Sequence, residues 1–239
     1  MKKHFLSLLA VGVTALTMNA TAAVVFEDTF ESYADTAAFL AAYPITAGTD
    51  PQPALTESTG DGAMGSNKFV TMPAAPSTIR RARALDNPIS MNDVISVTFS
   101  TYIRGANWGN TRSSLGLRDA GAGAAFYAQI GTNNGTADNK WATRLLGIPG
   151  LNGYYVLLNG PDRATNEWTK LSFTLSHSSM RFFINDVEST DDALVVTGPA
   201  TTAIGTVNLG YGITTTQPFD VDNIVVETTD ASVNDWNMY

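Results

Sequence analysis

The stretch that decides the fold is WTKLSFTLSHSSMRFFINDVE, residues 168–188. In its first half Leu171, Phe173 and Leu175 alternate with hydroxyl side chains, and a period of two places three apolar side chains on one face of a strand. A Ser and His turn follows, a second apolar run returns, and an Asn-Asp pair marks another turn. The stretch therefore predicts an antiparallel hairpin with one face in a core.

Strand signals of this kind recur along most of the chain, whereas helix signals do not. One short helix is predicted near the N-terminus at residues 35–43, capped by Asp35 and ended by Pro44. Residues 46–66 are rich in Gly, Thr, Pro and Asp without periodicity, which predicts a long loop. The further strand signals lie at residues 24–30, 68–72, 78–82, 94–104, 114–118, 124–131, 143–146, 154–158, 194–196, 206–211 and 219–227. About a dozen strands with almost no helix predict an all-β fold, a two-sheet antiparallel jelly-roll sandwich.

The first residues have the pattern of a secretory signal peptide. Lys2 and Lys3 precede an apolar run of 14 residues, 5–18, which is shorter than the roughly 18 that a membrane-spanning helix needs, and small residues follow at a cleavage site. We therefore expect a signal peptide at residues 1–22, a single domain at 23–227 and a loose acidic tail at 228–239. The expected location is secreted, extracellular or periplasmic, with no membrane insertion of the mature chain.

Charge and cysteine content narrow the class of partner. The formal net charge is −8, and removal of the two N-terminal lysines makes the mature chain more acidic still. Nucleic acids and anionic membranes are therefore poor partners. Because the chain contains no cysteine, its apolar core alone must stabilise it.

Three segments resemble a known family. FEDTFESY (residues 26–33) resembles an acidic-aromatic entry strand, Trp168 with FFINDVE (182–188) resembles a long strand ending in an Asn or Asp turn, and FDVDNIVVE (219–227) resembles a closing acidic strand. Together they are similar to the concanavalin A-like lectin and glucanase superfamily, in the laminin-G-like jelly rolls of exported bacterial proteins. The resemblance implies the same sandwich. Anchored relatives continue into a sorting signal, which is not found before Tyr239, so we expect release from the cell.

Catalytic constellations are weak in this sequence. The Glu-x-Asp-x-Glu strand of the glucanases is missing, and the acidic groups near residues 27–31 and 188–192 do not have the spacing of a facing carboxyl pair. One histidine, His177, remains after the signal peptide and cannot build a multi-histidine zinc site. Arg80, Arg81 and Arg83 would suit uronate carboxylates in a lyase, but the alternation of Arg80 and Arg81 with Ile79 and Ala82 is more typical of an exposed edge.

Calcium is the one cofactor that the sequence suggests. Calcium prefers several oxygen ligands, and the resemblance implies a site where the first and last strands meet. Asp28, Asp220 and Asp222 are the predicted ligands, and a second arrangement around Asp50 and Asp61 stays open. Acidic residues that only protect sheet edges are an equally valid interpretation.

Carbohydrate contact is predicted for aromatic and amide side chains in polar loops. Trp108 and Trp141 lie in Gly-rich, polar surroundings, where an exposed ring could stack on a sugar. Asn110 lies two residues after Trp108 and is predicted to contact the same sugar. Tyr154 and Tyr155 are adjacent in the sequence, so one must face away from the other, and Tyr155 is the predicted contact residue.

The function predicted from these features is a secreted, non-catalytic jelly-roll module that binds extracellular polysaccharide or glycoconjugate. A structural or protein-interaction domain of the extracellular matrix is the first alternative. A polysaccharide hydrolase or lyase is the second.

Overall fold

The computed structural model describes residues 21–49, 51–74, 78–108, 112–113, 115–120, 125–133, 139–189, 194–211 and 217–230. Most of these residues are in β-strands, with one short α-helix, α1 (Thr36–Ala42), and a 3₁₀ turn at Ala63–Gly65. In chain order the strands are β1 (Thr21–Asp28), β2 (Ile45–Ala47), β3 (Ala54–Glu57), β4 (Lys68–Met72), β5 (Ile79–Ile89), β6 (Ser96–Gly105), β7 (Leu115–Arg118), β8 (Tyr127–Gly131), β9 (Ala142–Ile148), β10 (Leu151–Val156), β11 (Thr169–Ser176), β12 (Met180–Ile184), β13 (Val187–Ser189), β14 (Ile204–Tyr211) and β15 (Phe219–Asp230).

The strands form two antiparallel sheets. In the eight-stranded sheet the order is β13-β12-β11-β6-β15-β4-β3, and β1 also pairs with β15. In the seven-stranded sheet the order is β10-β9-β8-β7-β14-β5-β2. The predicted all-β, two-sheet sandwich with one short helix is therefore confirmed.

The hairpin of residues 168–188 forms as predicted. Phe173 on β11 lies opposite both Phe182 on β12 and Phe99 on β6. The Phe173 ring stacks on Phe99 at 5.3 Å and tilts against Phe182 at 5.9 Å, and all three side chains are fully buried. The Asn185-Asp186 turn has positive φ at both residues, the conformation that a two-residue hairpin turn requires.

The N-terminal helix also forms where it was predicted. The Asp35 carboxylate accepts a hydrogen bond from the Ala38 N–H at 2.9 Å, so it caps α1. Phe39 is the buried residue of α1, and its ring packs edge-on against Phe30 at 5.9 Å. Within the described ranges, no helix has the length and apolarity that crossing a membrane would demand.

Two predicted boundaries were wrong. Residues 46–66 are not one loop, since they contain β3 and the 3₁₀ turn. β3 has only four residues, too few to show a period in the sequence, and it is a strand because its backbone pairs with β4. The last strand, β15, continues to Asp230, so the first three residues of the predicted loose tail are ordered. Asp230 pairs with Thr21, so β1 begins two residues inside the predicted signal peptide. Residues 231–239 lie outside the described residues.

Candidate functional site

The predicted exposure of Trp108 and Trp141 was wrong. Trp108 is 4% exposed and Trp141 is fully buried, and their rings pack edge-on against each other at 5.3 Å in the core. A β-carbon at Gly105 would come within 2.7 Å of the Trp108 ring, so this glycine makes room for the ring and does not indicate a surface loop. Buried rings leave no face for a sugar. Asn110 lies outside the described residues.

Tyr154 and Tyr155 do point in opposite directions, as the sequence predicted. Tyr155 packs against the hydrophobic core, and its hydroxyl accepts a hydrogen bond from the Asn152 N–H at 3.3 Å. Tyr154 is 41% exposed on the outer face of the seven-stranded sheet. The residue with the accessible ring is therefore Tyr154, the neighbour of the one that was predicted.

Asp28 is the centre of a buried network at the end of β1. Its carboxylate accepts hydrogen bonds from the Phe30 N–H at 2.8 Å, the Tyr33 hydroxyl at 2.6 Å and the Tyr43 hydroxyl at 3.0 Å. Arg83 forms an ion pair with it at 2.6 Å. Burial and the adjacent carboxylate raise the pKa of both tyrosine hydroxyls, which keeps them protonated as donors. A calcium ion would have to displace Arg83, so this arrangement does not fit a cation site.

Asp220 and Asp222 fasten residues 58–67 to the outer face of the eight-stranded sheet. Asp220 pairs with Arg104 at 2.9 Å, and Arg104 in turn pairs with Asp61 at 2.8 Å. Asp222 accepts hydrogen bonds from the Ala63 N–H at 2.8 Å and from the Ser66 hydroxyl. Burial raises the pKa of the Asp222 carboxyl to about 6.

The three predicted calcium ligands therefore use separate sets of partners. Among the described residues, no group of three or more Asp, Glu or His side chains is arranged to hold a metal ion. Calcium binding stays a prediction, and the grouping of Asp28, Asp220 and Asp222 in one site was wrong.

The outer face of the seven-stranded sheet gathers polar side chains from four of five adjacent strands, with a glycine on the fifth. Asn208, Gly116, Gln129, Arg144 and Tyr154 lie directly opposite one another on β14, β7, β8, β9 and β10. Directly opposed residues of neighbouring strands point to the same side of a sheet. These five positions therefore form one continuous row on the face that points away from the core.

Neighbouring positions on the same side add more arginine and tyrosine. Arg118 lies opposite Tyr127, and each is two residues along its strand from the Gly116 and Gln129 pair. Arg80 lies opposite Gly210, which is two residues from Asn208 on β14. We call this surface the arginine–tyrosine face; its members are Arg80, Arg112, Arg118, Tyr127, Gln129, Arg144 and Tyr154.

The aromatic rings of this face are in contact with guanidinium groups. The Arg112 Cζ atom lies 4.3 Å from the centre of the Tyr154 ring, and the Arg144 Cζ atom lies 4.8 Å from the same ring centre. Arg144 also lies 4.8 Å from the ring centre of the buried Tyr127. Cation–π contacts of this kind stabilise the orientation of both partners, so the exposed Tyr154 ring is held in place before any ligand arrives.

A small depression of about 10 Å³ lies between these side chains. Its lining includes Arg112, Gln129, Arg144 and Tyr154 together with backbone at Gly131. The described lining therefore combines one aromatic wall, two cations and an amide around a hollow.

The positive charges of the face repel one another. Burial and the nearby charges of Arg118 and Arg144 lower the pKa of Arg80, and burial together with Arg144 lowers the pKa of Arg112. Arg118 has Asp119 at 3.8 Å, whereas no carboxylate of the described residues is within ion-pairing distance of Arg80 or Arg144. The face thus gathers four cations, and among the described residues two of them, Arg80 and Arg144, have no carboxylate at ion-pairing distance.

The sequence contains only a partial signal of this face. Arg80, Arg81 and Arg83 would suit carboxylates, but the alternation of Arg80 and Arg81 predicts an exposed edge. β5 is not an edge strand, because β2 pairs with it on the outer side. Arg81 points away from the face and donates hydrogen bonds to backbone carbonyls, among them that of Tyr43 at 2.5 Å. Only Arg80 of the three belongs to the arginine–tyrosine face.

Comparison with known proteins supports the fold. No protein-family model matches the chain, and no curated protein sequence matches it. The globular domain of T. cruzi calreticulin is similar in structure, with a TM-score of 0.59 at 10% identity over 85% of this chain and 87% of that one.

Two further solved structures share the fold. A carbohydrate esterase of the Shiga toxin-encoding bacteriophage phi24B has a TM-score of 0.54 at 16% identity, over 87% of this chain and 99% of that one. The cellulose-induced protein Cip1 has a TM-score of 0.53 at 14% identity, over 84% of this chain and 96% of that one. At these identities the likeness establishes a common β-sandwich and nothing about the chemistry of this chain.

Proposed function

We propose that the protein is a secreted, non-catalytic jelly-roll module that binds extracellular carbohydrate through the arginine–tyrosine face. The observation that carries the proposal is the exposed Tyr154 ring, held by Arg112 and Arg144 at the rim of a polar depression. Sugars are bound by an aromatic face that covers their C–H groups and by a few fixed polar groups that reach their hydroxyls. Gln129 and the two arginines are such groups. β-Sandwiches among the similar structures include a carbohydrate esterase, which is compatible with this use of the fold.

The composition of the depression favours binding over glycoside hydrolysis. Hydrolysis needs two carboxyl groups that face each other across the glycosidic bond. The described residues that line the depression include no carboxylate. His177 lies elsewhere, in the turn between β11 and β12, with its ring nitrogen bonded to the Met91 carbonyl.

The test is retention on polysaccharides in native affinity gels, followed by titration calorimetry with soluble oligosaccharides. We expect Tyr154→Ala to abolish the retention that the wild-type protein shows on at least one glycan. Tyr102→Ala is the matched control, since this tyrosine lies on the outer side of the other sheet, where its hydroxyl contacts Met64. Equal retention of wild type and Tyr154→Ala would remove the proposed site, and retention on no polysaccharide would remove the function. Secretion is tested separately by N-terminal sequencing of protein recovered from the culture medium.

A further inference from the structure

We propose that the ligand of the arginine–tyrosine face is an anionic polysaccharide, one whose sugars carry carboxylate or sulfate groups; this inference rests on the proposed carbohydrate-binding function. The first argument is the distribution of charge. The chain has a net charge of −8 and nine arginines, and four of the nine lie on this one face.

The second argument is how the other arginines are used. Arg83 pairs with Asp28 at 2.6 Å, Arg104 with Asp220 at 2.9 Å, and Arg181 with Glu188 at 2.6 Å. On the proposed binding face, Arg80 and Arg144 have no carboxylate partner among the described residues, and their neighbours are other arginines. An anion that binds at this face would supply the missing negative charge.

The third argument is convergence. Arg112 precedes β7 and Arg144 is on β9, yet both guanidinium groups lie over the same Tyr154 ring, at 4.3 Å and 4.8 Å from its centre. The charge of Arg144 also contributes to the lowered pKa of Arg80 on β5. Side chains that start on distant strands therefore reach toward a common space. Like charges held together in this way cost folding free energy, and that cost is recovered when an anion is bound.

The chemistry of the guanidinium group fits an acidic sugar. Its planar fork donates two parallel hydrogen bonds to a carboxylate or a sulfate, while Tyr154 provides the apolar surface for the pyranose ring. A neutral glycan would bring no negative charge to the cations of this face. The overall negative charge of the chain disfavours the long phosphate backbone of a nucleic acid, which follows a basic surface over many residues.

The experiment compares polygalacturonate with its fully methyl-esterified form, which has the same sugars without the charge. Heparin serves as the sulfated probe, xylan as the neutral one and single-stranded DNA as the anionic polymer that is not a glycan. We expect wild type to bind polygalacturonate or heparin, to bind the methyl ester and xylan at least about tenfold more weakly, and to lose affinity as salt increases. Binding to polygalacturonate alone identifies the anion as carboxylate, and binding to heparin alone identifies it as sulfate; both support the proposal.

Two variants connect the affinity to the face. Arg144→Gln is expected to weaken binding of the anionic glycan by about tenfold or more, and Arg144→Lys, which keeps the charge but loses the fork, is expected to fall between it and wild type. Arg181→Gln is the control, because that arginine is exposed and paired on the other sheet. Thermal unfolding verifies that each variant is folded, and Arg112→Gln replaces Arg144→Gln if the latter is not.

Failure of this inference is distinguishable from failure of the proposed function. Equal binding of polygalacturonate and its methyl ester, lost in Tyr154→Ala but kept in Arg144→Gln, would leave a carbohydrate-binding module and overturn the anionic ligand. Binding of single-stranded DNA as tight as that of the anionic glycans, with the same dependence on Arg144, would overturn the choice of polysaccharide. Binding to none of the probes would remove both proposals.

Discussion

The stability of the fold should decrease between about pH 4 and pH 6 because of one buried carboxyl group. Asp222 is fully buried on β15, and its folded-state pKa is about 6 against an ordinary value of 3.8. The folded protein therefore holds this proton at a pH where the unfolded chain has released it. A pKa that is raised on folding stabilises the fold below the unfolded-state value, and this contribution is lost as pH rises through the folded-state value. At about 1.4 kcal/mol per pKa unit, the loss from pH 4 to pH 7 amounts to roughly 3 kcal/mol.

The assay is urea unfolding of wild type and Asp222→Asn at half-unit steps from pH 4 to pH 7.5. Asparagine cannot titrate, so the difference in unfolding free energy between the two proteins should move by roughly 3 kcal/mol across this range, with wild type relatively more stable at the acidic end. The amide of Asp222→Asn also changes the hydrogen bonds with Ala63 and Ser66, but that effect is the same at every pH. It therefore shifts the difference in unfolding free energy by a constant amount.

Glu188→Gln is the control for removal of a carboxylate. Arg181 lowers the pKa of Glu188, so its contribution has the opposite sign: it is present above the unfolded-state pKa and is lost as pH falls. A difference between wild type and Asp222→Asn that stays constant from pH 4 to pH 7.5 would refute the reasoning about Asp222.

Two further predictions concern packing and buried charge. Arg83→Gln should destabilise the fold by about 2–4 kcal/mol, because it leaves the buried Asp28 carboxylate without its cation. The double variant with Asp28→Asn should recover part of that loss, and purely additive effects of the two substitutions in urea unfolding would contradict this prediction. Gly105→Ala should cost about 1–3 kcal/mol, because its β-carbon would meet the Trp108 ring at 2.7 Å, whereas Gly198→Ala, whose nearest contact is at 3.9 Å, should change thermal stability little; equal effects of the two would argue against the packing described.

Local patterns in the sequence determined what could be predicted of the fold. The alternation in β11 assigns Phe173 to the core whatever the position of the strand in the sheet, because a period of two is a property of the strand itself. The cap at Asp35 is local in the same sense. Short edge strands such as β3 lack this signal, since four residues give no measurable period and the pairing partner decides their structure.

The candidate site could not be predicted because it depends on strand order. Arg80, Arg118 and Arg144 come from three segments of the sequence, and they share a face only because β14, from near the end of the chain, lies between β5 and β7. Alternation in a strand also does not say which of the two sets of side chains faces outward. At residues 154 and 155 the outward-facing set decides which tyrosine can contact a ligand. Pairing of β10 with β9 places Tyr154 opposite Arg144, so the sheet register, and not the polarity of the surrounding loops, makes its ring available.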